Sequence, residues 1–183
     1  MMNAKLTLPA FALALAAPAL AAPAAPSPPA TEPAAPLATA TLVHSDGTPA
    51  GMARIVAPGG HAMIVVELTG IPAGPHGLHL HMTGKCEGPA FTSAGGHLNP
   101  AGKQHGMDNP AGSHLGDLPN VTADAQGKVS AKIHYGGDPA ALAAALFDAD
   151  GSALVLHAGP DDYKTDPAGQ SGARIACGVL TKV

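Results

Sequence analysis

The chain is predicted to be all-β: a Greek-key β-barrel or sandwich of about eight antiparallel strands with two long functional loops. Three observations carry this. Apolar and polar residues alternate in short runs at 39–43, 52–56, 62–68, 78–82, 129–135, 153–157 and 175–180, the period of half-buried strands. Turn signals at hairpin distances separate several of them, as in SDG (45–47), APGG (57–60), DAQG (124–127) and DADG (148–151). Two stretches, 83–119 and 158–173, break the alternation with Gly, Pro, Asn, Asp and His, and long aperiodic loops in a compact domain are usually functional.

From the start of the chain, 183 residues allow one ordinary domain. Residues 1–21 carry a single Lys5, an apolar run and an A-x-A ending at Ala21, which reads as a cleaved export signal and a periplasmic destination. A membrane anchor would need about twenty unbroken apolar residues, and Pro9 and Pro18 interrupt this run. Residues 22–36 are almost all Ala and Pro, a composition that buries no core and forms an extended tether. The folded domain is therefore assigned to 37–183. Losing Lys5 with the signal takes the formal charge from −4 to −5, and only 3% of residues are aromatic. No basic stripe or stacking platform for nucleic acid results, so the expected partner is small. Within the domain, PAALAAAL (139–146) is the exception to the strand pattern and predicts a short helix.

Cys86 lies in the first long loop and Cys177 near the last strand; two cysteines in an exported chain read as one disulfide. Histidines crowd the same regions: His79 and His81 in HGLHLH, His97 in GGHLNP, His105 in KQHG, His114 with Asp117 in SHLGD, and His157 in LVLHAG. Neutral imidazoles with one carboxylate suit borderline transition metals. In a strand His79 and His81 share a face roughly 7 Å apart, so both can reach one ion, while Leu78 and Leu80 point into the core. His76 has the parity of the leucines and is read as a structural histidine bonded to backbone. His44, His61 and His134 are read as surface residues.

Six segments in order, HGLHLH (76–81), SAGGHLNP (93–100), KQHG (103–106), SHLGDLPNVTAD (113–124), LVLHAGPDDY (154–163) and GARIACGVL (172–180), resemble the copper/zinc superoxide dismutase family in its bacterial exported form. The resemblance spans essentially all of 37–183. It implies a copper site of His79, His81, His97 and His157, and a zinc site of His97, His105, His114 and Asp117, with His97 as the bridging imidazolate. It further implies that Asp161 hydrogen-bonds a ligand of each metal, with Asp162 as the alternative if the register slips by one. Arg174 would attract and position superoxide, the substrate, and His97 would carry a proton during disproportionation to dioxygen and hydrogen peroxide. Lys164 and Lys103 are further candidates for steering the anion. Both a monomer and a homodimer fit the family.

Departures from the family pattern are confined to packing and the site's surroundings. Leucines stand at Leu78 and Leu98 where larger residues are frequent, Met82 and Thr83 follow the second histidine where an acidic residue is frequent, and Trp is absent. A metal carrier would need the histidines but not Arg174. A zinc hydrolase would need a catalytic carboxylate beside an open zinc position. A structural sandwich would have no reason to gather histidines in aperiodic loops.

Overall fold

Residues 35–183 are described in the computed structural model of the chain; the segment 1–21 read as an export signal and nearly all of the 22–36 stretch read as a tether lie outside them. Ten strands and one α-helix follow in order among the described residues: β1 (Pro36–His44), β2 (Pro49–Val56), β3 (Met63–Leu68), β4 (Gly74–His76), β5 (Leu78–His81), β6 (Val121–Ala123), β7 (Val129–His134), α1 (Pro139–Leu146), β8 (Ala153–His157), β9 (Arg174–Val179) and β10 (Thr181–Lys182), with single 3-10 turns at Pro58–Gly60 and Thr92–Ala94. None of the described helices is long and apolar enough to cross a membrane.

The main sheet runs β5-β8-β9-β1-β2-β3-β7, with β10 also pairing to β1, and every ladder is antiparallel. The sheet curls back on itself through a second, short ladder. β6 is joined to β7 by the Asp124–Gly127 turn and pairs with β4, which runs on into β5 past Gly77. The result is the Greek-key barrel that the alternation predicts. Inward positions such as Leu42, Ile55, Ile64, Val66, Leu78, Leu80, Leu154 and Leu156 form one buried cluster. Each such aliphatic side chain contributes about 1.5–3 kcal/mol relative to exposure. The helix forms where predicted: the Asp138 side chain caps it by accepting from the Ala140 N–H (3.0 Å), Pro139 opens it, and Leu142 and Leu146 join the core.

Strand β5 is an edge of the main sheet, and the first long loop covers it. The Leu80 N–H donates to the Gly116 carbonyl (2.9 Å), while the Leu80 carbonyl accepts from Leu98 N–H (2.8 Å). A side chain at Gly116 would overlap the Leu80 carbonyl, so only glycine permits this approach. His97 and Asp117 are thereby drawn into single bridges with His81 and His79. The earlier half of the loop lies on the outer face of the sheet, where Phe91 and Ala94 make a small core of their own with Ala153, Val155 and Cys177. Cys86 and Cys177 form the expected disulfide, 91 residues apart in sequence, with 5.6 Å between their Cα atoms.

Candidate metal centre

Strand parity places the first two candidate histidines: Leu78 and Leu80 enter the core, and His79 and His81 face the covering loops, where both are buried. The loops bring in His97, His105, His114 and Asp117, and the end of β8 brings in His157. Two groups of ligand atoms result, each with all its atoms within 4.8 Å of one another: His79, His81, His97, His157, and His97, His105, His114, Asp117. His97 belongs to both, its ring stacked on His79 at 3.9 Å and edge-on to His114 at 5.5 Å.

Tautomers in the first group are set by the outer hydrogen bonds. His79 Nε2 donates to Asp161 Oδ2 (2.8 Å), His81 Nδ1 to the Gly95 carbonyl (3.0 Å) and His157 Nδ1 to the Gly172 carbonyl (3.2 Å). The opposite nitrogens, His79 Nδ1, His81 Nε2 and His157 Nε2, together with His97 Nε2, are buried without a hydrogen-bond partner. An unpartnered buried polar atom costs about 1–3 kcal/mol. Four such lone pairs converging at one point are the signature of a cation site, and four imidazoles suit copper.

The second group is built around Asp117. His97 Nδ1, His105 Nδ1 and His114 Nδ1 lie 2.9, 3.0 and 3.3 Å from Asp117 Oδ1, while Oδ2 accepts the backbone N–H groups of Gly106 (2.9 Å) and His114 (3.0 Å). His105 Nε2 and His114 Nε2 are engaged by Asp161 Oδ1 (2.9 Å) and the Lys103 carbonyl (3.1 Å). With Nε2 donating, the Nδ1 lone pairs of His105 and His114 face a carboxylate oxygen. A cation between them turns that repulsion into attraction, and three imidazoles with one carboxylate fit zinc. A third cluster, His79, His105 and Asp161, is already satisfied by hydrogen bonds and needs no ion.

Electrostatics keep the nitrogens available. Burial pushes His81 down to about 2, His157 to about 3 and His97 to about 4, so all three are neutral at physiological pH. Burial alone would raise the Asp161 carboxyl, but hydrogen bonds from His79 and His105 outweigh it and hold it at about 2. Asp117 is likewise ionised: burial opposes the charge, and the bonds from His97, Gly106 and His114 prevail.

Asp161, not Asp162, bridges the two groups. Asp162 is exposed and accepts from Lys164, Thr165 and Gln170 within its own loop. Asp161 is clamped by Asn120, whose Oδ1 accepts the Asp161 N–H (2.8 Å) and whose Nδ2 donates to the Asp161 carbonyl (2.9 Å). Asn120 and Gly169 have no counterpart in the sequence reading. Gly169, at φ +61°, lies so close that a Cβ there would overlap the Asp161 carboxylate and press on His105. Gly169→Ala is expected to displace that carboxylate and lower metal affinity about 10–100-fold. Chelator competition on the folded variant measures this, and wild-type affinities would refute the bridging role.

Arg174 starts β9 opposite His157, beyond a register shift in the ladder. Its Nη1 donates to the Phe91 carbonyl (2.6 Å) and its Nη2 to the Gly95 carbonyl (2.7 Å). It lines a cavity of about 420 Å³ together with His81, His97, His157 and Lys103; Lys164 is not among the lining residues. His76 is structural as read, its ring nitrogens facing the carbonyls of His157 (2.8 Å) and Pro72 (2.7 Å). His44 Nε2 lies 3.1 Å from the Thr69 carbonyl, and His61 and His134 are exposed.

A curled Greek-key sheet bearing two imidazole-rich groups that share one histidine defines a protein of the copper- and zinc-binding class. The family model for copper/zinc superoxide dismutase (SODC) matches residues 50–180. The Cu-Zn superoxide dismutase 2 of Aquifex aeolicus is 41% identical over 146 residues, 78% of this chain and 85% of that protein. The Cu-Zn superoxide dismutase of Caulobacter vibrioides is 42% identical over 152 residues, 78% of this chain and 84% of that one. Among solved structures, a SOD-like protein from Bacillus subtilis superposes with a TM-score of 0.72 at 37% identity, covering 78% of this chain and 97% of the other. The chain belongs to the copper/zinc superoxide dismutase family.

Proposed function

We propose that this protein disproportionates superoxide, two anions and two protons giving dioxygen and hydrogen peroxide, with copper held by His79, His81, His97 and His157 and zinc by His97, His105, His114 and Asp117. The observation that carries the reading is the convergence of four unpartnered buried nitrogens beside the cavity that Arg174 lines. When bound, copper supplies the one-electron redox couple and zinc a fixed charge that tunes the shared imidazole.

The chain's own residues do the rest. The Arg174 guanidinium has five N–H donors and commits two nitrogens to the Phe91 and Gly95 carbonyls, so its plane is fixed while donors remain for a small anion. Lys103 adds charge to the same wall, a local positive field on a chain of net charge −4. His97 Nε2 takes up a proton in one half of the cycle and delivers it to the nascent peroxide in the other. Asp117 Oδ1 lies 2.9 Å from Nδ1 of that ring, and the two would hold zinc together, which would fix the ring's orientation through the cycle. The carrier reading leaves Arg174, anchored and facing the cavity, without a role.

Residues 1–21 are read as an export signal and 22–36 as a tether, which places the domain in the periplasm; the A-x-A ending at Ala21 and the Cys86–Cys177 disulfide support this. One preparation tests both readings: protein released from the cell envelope, assayed for its N-terminus, metal content and dismutase activity before and after copper loading. A chain lacking the signal, with one copper and one zinc and copper-dependent turnover, is expected. A retained Met1 overturns the export reading, and full copper occupancy without turnover overturns the enzyme reading in favour of a carrier.

A further inference from the structure

The wall of the 420 Å³ cavity that suits an anion is unfavourable for a cation. Arg174 and Lys103 both line it, and Asp166 is the one carboxylate among the lining residues. Asp166 Oδ1 already accepts the His105 backbone N–H (2.6 Å). Copper must nevertheless pass these charges to reach the lining residues His81 and His157, whose free nitrogens are buried.

Met82 offers an uncharged ligand at the same wall. It follows His81 directly, just past the end of β5, and lines the cavity while remaining 47% exposed. Its thioether lies over Gly95 and Gly96: a Cβ at Gly95 would stand 3.5 Å from the sulfur, and one at Gly96 3.8 Å. Gly96 is itself part of the cavity wall. A thioether is a soft donor that selects Cu(I) over harder ions, and its affinity does not depend on shedding a proton. Met52 and Met107 are comparably exposed, at 50% and 44%, but do not line this cavity.

We propose that Met82 is an outer, transient Cu(I) ligand at the mouth of the cavity, capturing the ion and passing it to His81, its neighbour in the chain. The inference rests on the copper reading above. Zinc-loaded, copper-free protein mixed with the coloured Cu(I) complex of bathocuproine disulfonate tests it through the rate at which the colour is lost. Met82→Leu, close to isosteric and checked for fold by circular dichroism and zinc content, is expected to take up Cu(I) about tenfold more slowly for loss of the soft donor. Its uptake of Cu(II) from a glycine complex and its final copper content should match wild type, and Met52→Leu should behave as wild type throughout. Equal Cu(I) rates in wild type and Met82→Leu overturn the inference alone, as does an equal slowing for both oxidation states, which would mark Met82 as packing at the mouth. A wild-type protein that binds no copper overturns the proposed function and this inference with it.

Discussion

His97→Ala is expected to abolish dismutase activity and to strip both metals, because its ring is the one element common to the two ligand groups. Removing a partner that merely orients a ligand costs 10–100-fold in affinity, so removing a ligand should cost more than about a hundredfold at each site. The damage also spreads through Asp117, whose Oδ1 loses the bond from His97 Nδ1 (2.9 Å) that helps keep the carboxylate ionised. His157→Ala is the matched control. His157 belongs only to the first group, and its Nδ1 is tied to the Gly172 carbonyl rather than to Asp117 or Asp161. That variant should lose copper and turnover but keep zinc. Metal analysis of the two purified variants decides the matter: zinc retained in full by His97→Ala would rule out a shared ligand, and zinc lost from both would mean that the two sites are coupled through the fold rather than through one ring.

The sequence carries information about this molecule wherever a side chain has a periodic or chemical reason to be where it is. All seven runs read as strands are strands: in β1, β2 and β7 buried apolar residues alternate with more exposed neighbours, whereas β8 is buried along its whole length, its outward Ala153 and Val155 covered by the Phe91 cluster. β4, β6 and β10 are only two or three residues long, too short for a period, and exist because the barrel places a partner beside them. Among the candidate ligands, parity along β5 made only His79 and His81 legible, and set them apart from His76 at the end of β4; His97, His105, His114, Asp117 and His157 were implied by the family resemblance. Backbone groups leave no such trace. The carbonyls of Phe91 and Gly95 that anchor Arg174, and the carbonyl of Gly172 that fixes His157, could be any residue's. Asp161 and Asp162 are adjacent carboxylates of equal chemistry. What separates them is a loop conformation held by Asn120 and permitted by Gly169, both ordinary loop residues until the contacts are seen.

Replacing both cysteines by serine is expected to lower stability by about 4–5 kcal/mol in the chain-entropy description, since the disulfide closes a loop of roughly ninety residues. The functional consequence follows from where its ends lie. Cys177 is three residues past Arg174 on β9, and Cys86 sits in the loop whose Phe91 and Gly95 carbonyls receive the two guanidinium bonds. Gly95 also accepts from His81 Nδ1 (3.0 Å), so one carbonyl orients both Arg174, proposed to hold the anion, and His81, proposed to hold copper. Phe91 occupies a left-handed backbone conformation, φ +54°, while fully buried in the small outer core, so its carbonyl direction depends on that core staying assembled. Without the disulfide this part of the loop relies on the Phe91 and Ala94 cluster and on backbone bonds such as Thr83 N–H to the Ala94 carbonyl (3.1 Å) and Met82 N–H to the Gly96 carbonyl (3.0 Å), and the guanidinium's two acceptors lose part of their rigidity. The serine variant, fully metal-loaded, should therefore turn over more slowly at low superoxide concentration, and its unfolding midpoint in denaturant should fall. The zinc group should be spared, because its loop contacts run through Gly116 and Leu98 to β5 rather than through Cys86. An unchanged rate in the destabilised variant would show that the loop's own apolar cluster suffices to aim Arg174; an unchanged midpoint would show that the reduced, unfolded chain is already constrained by other contacts.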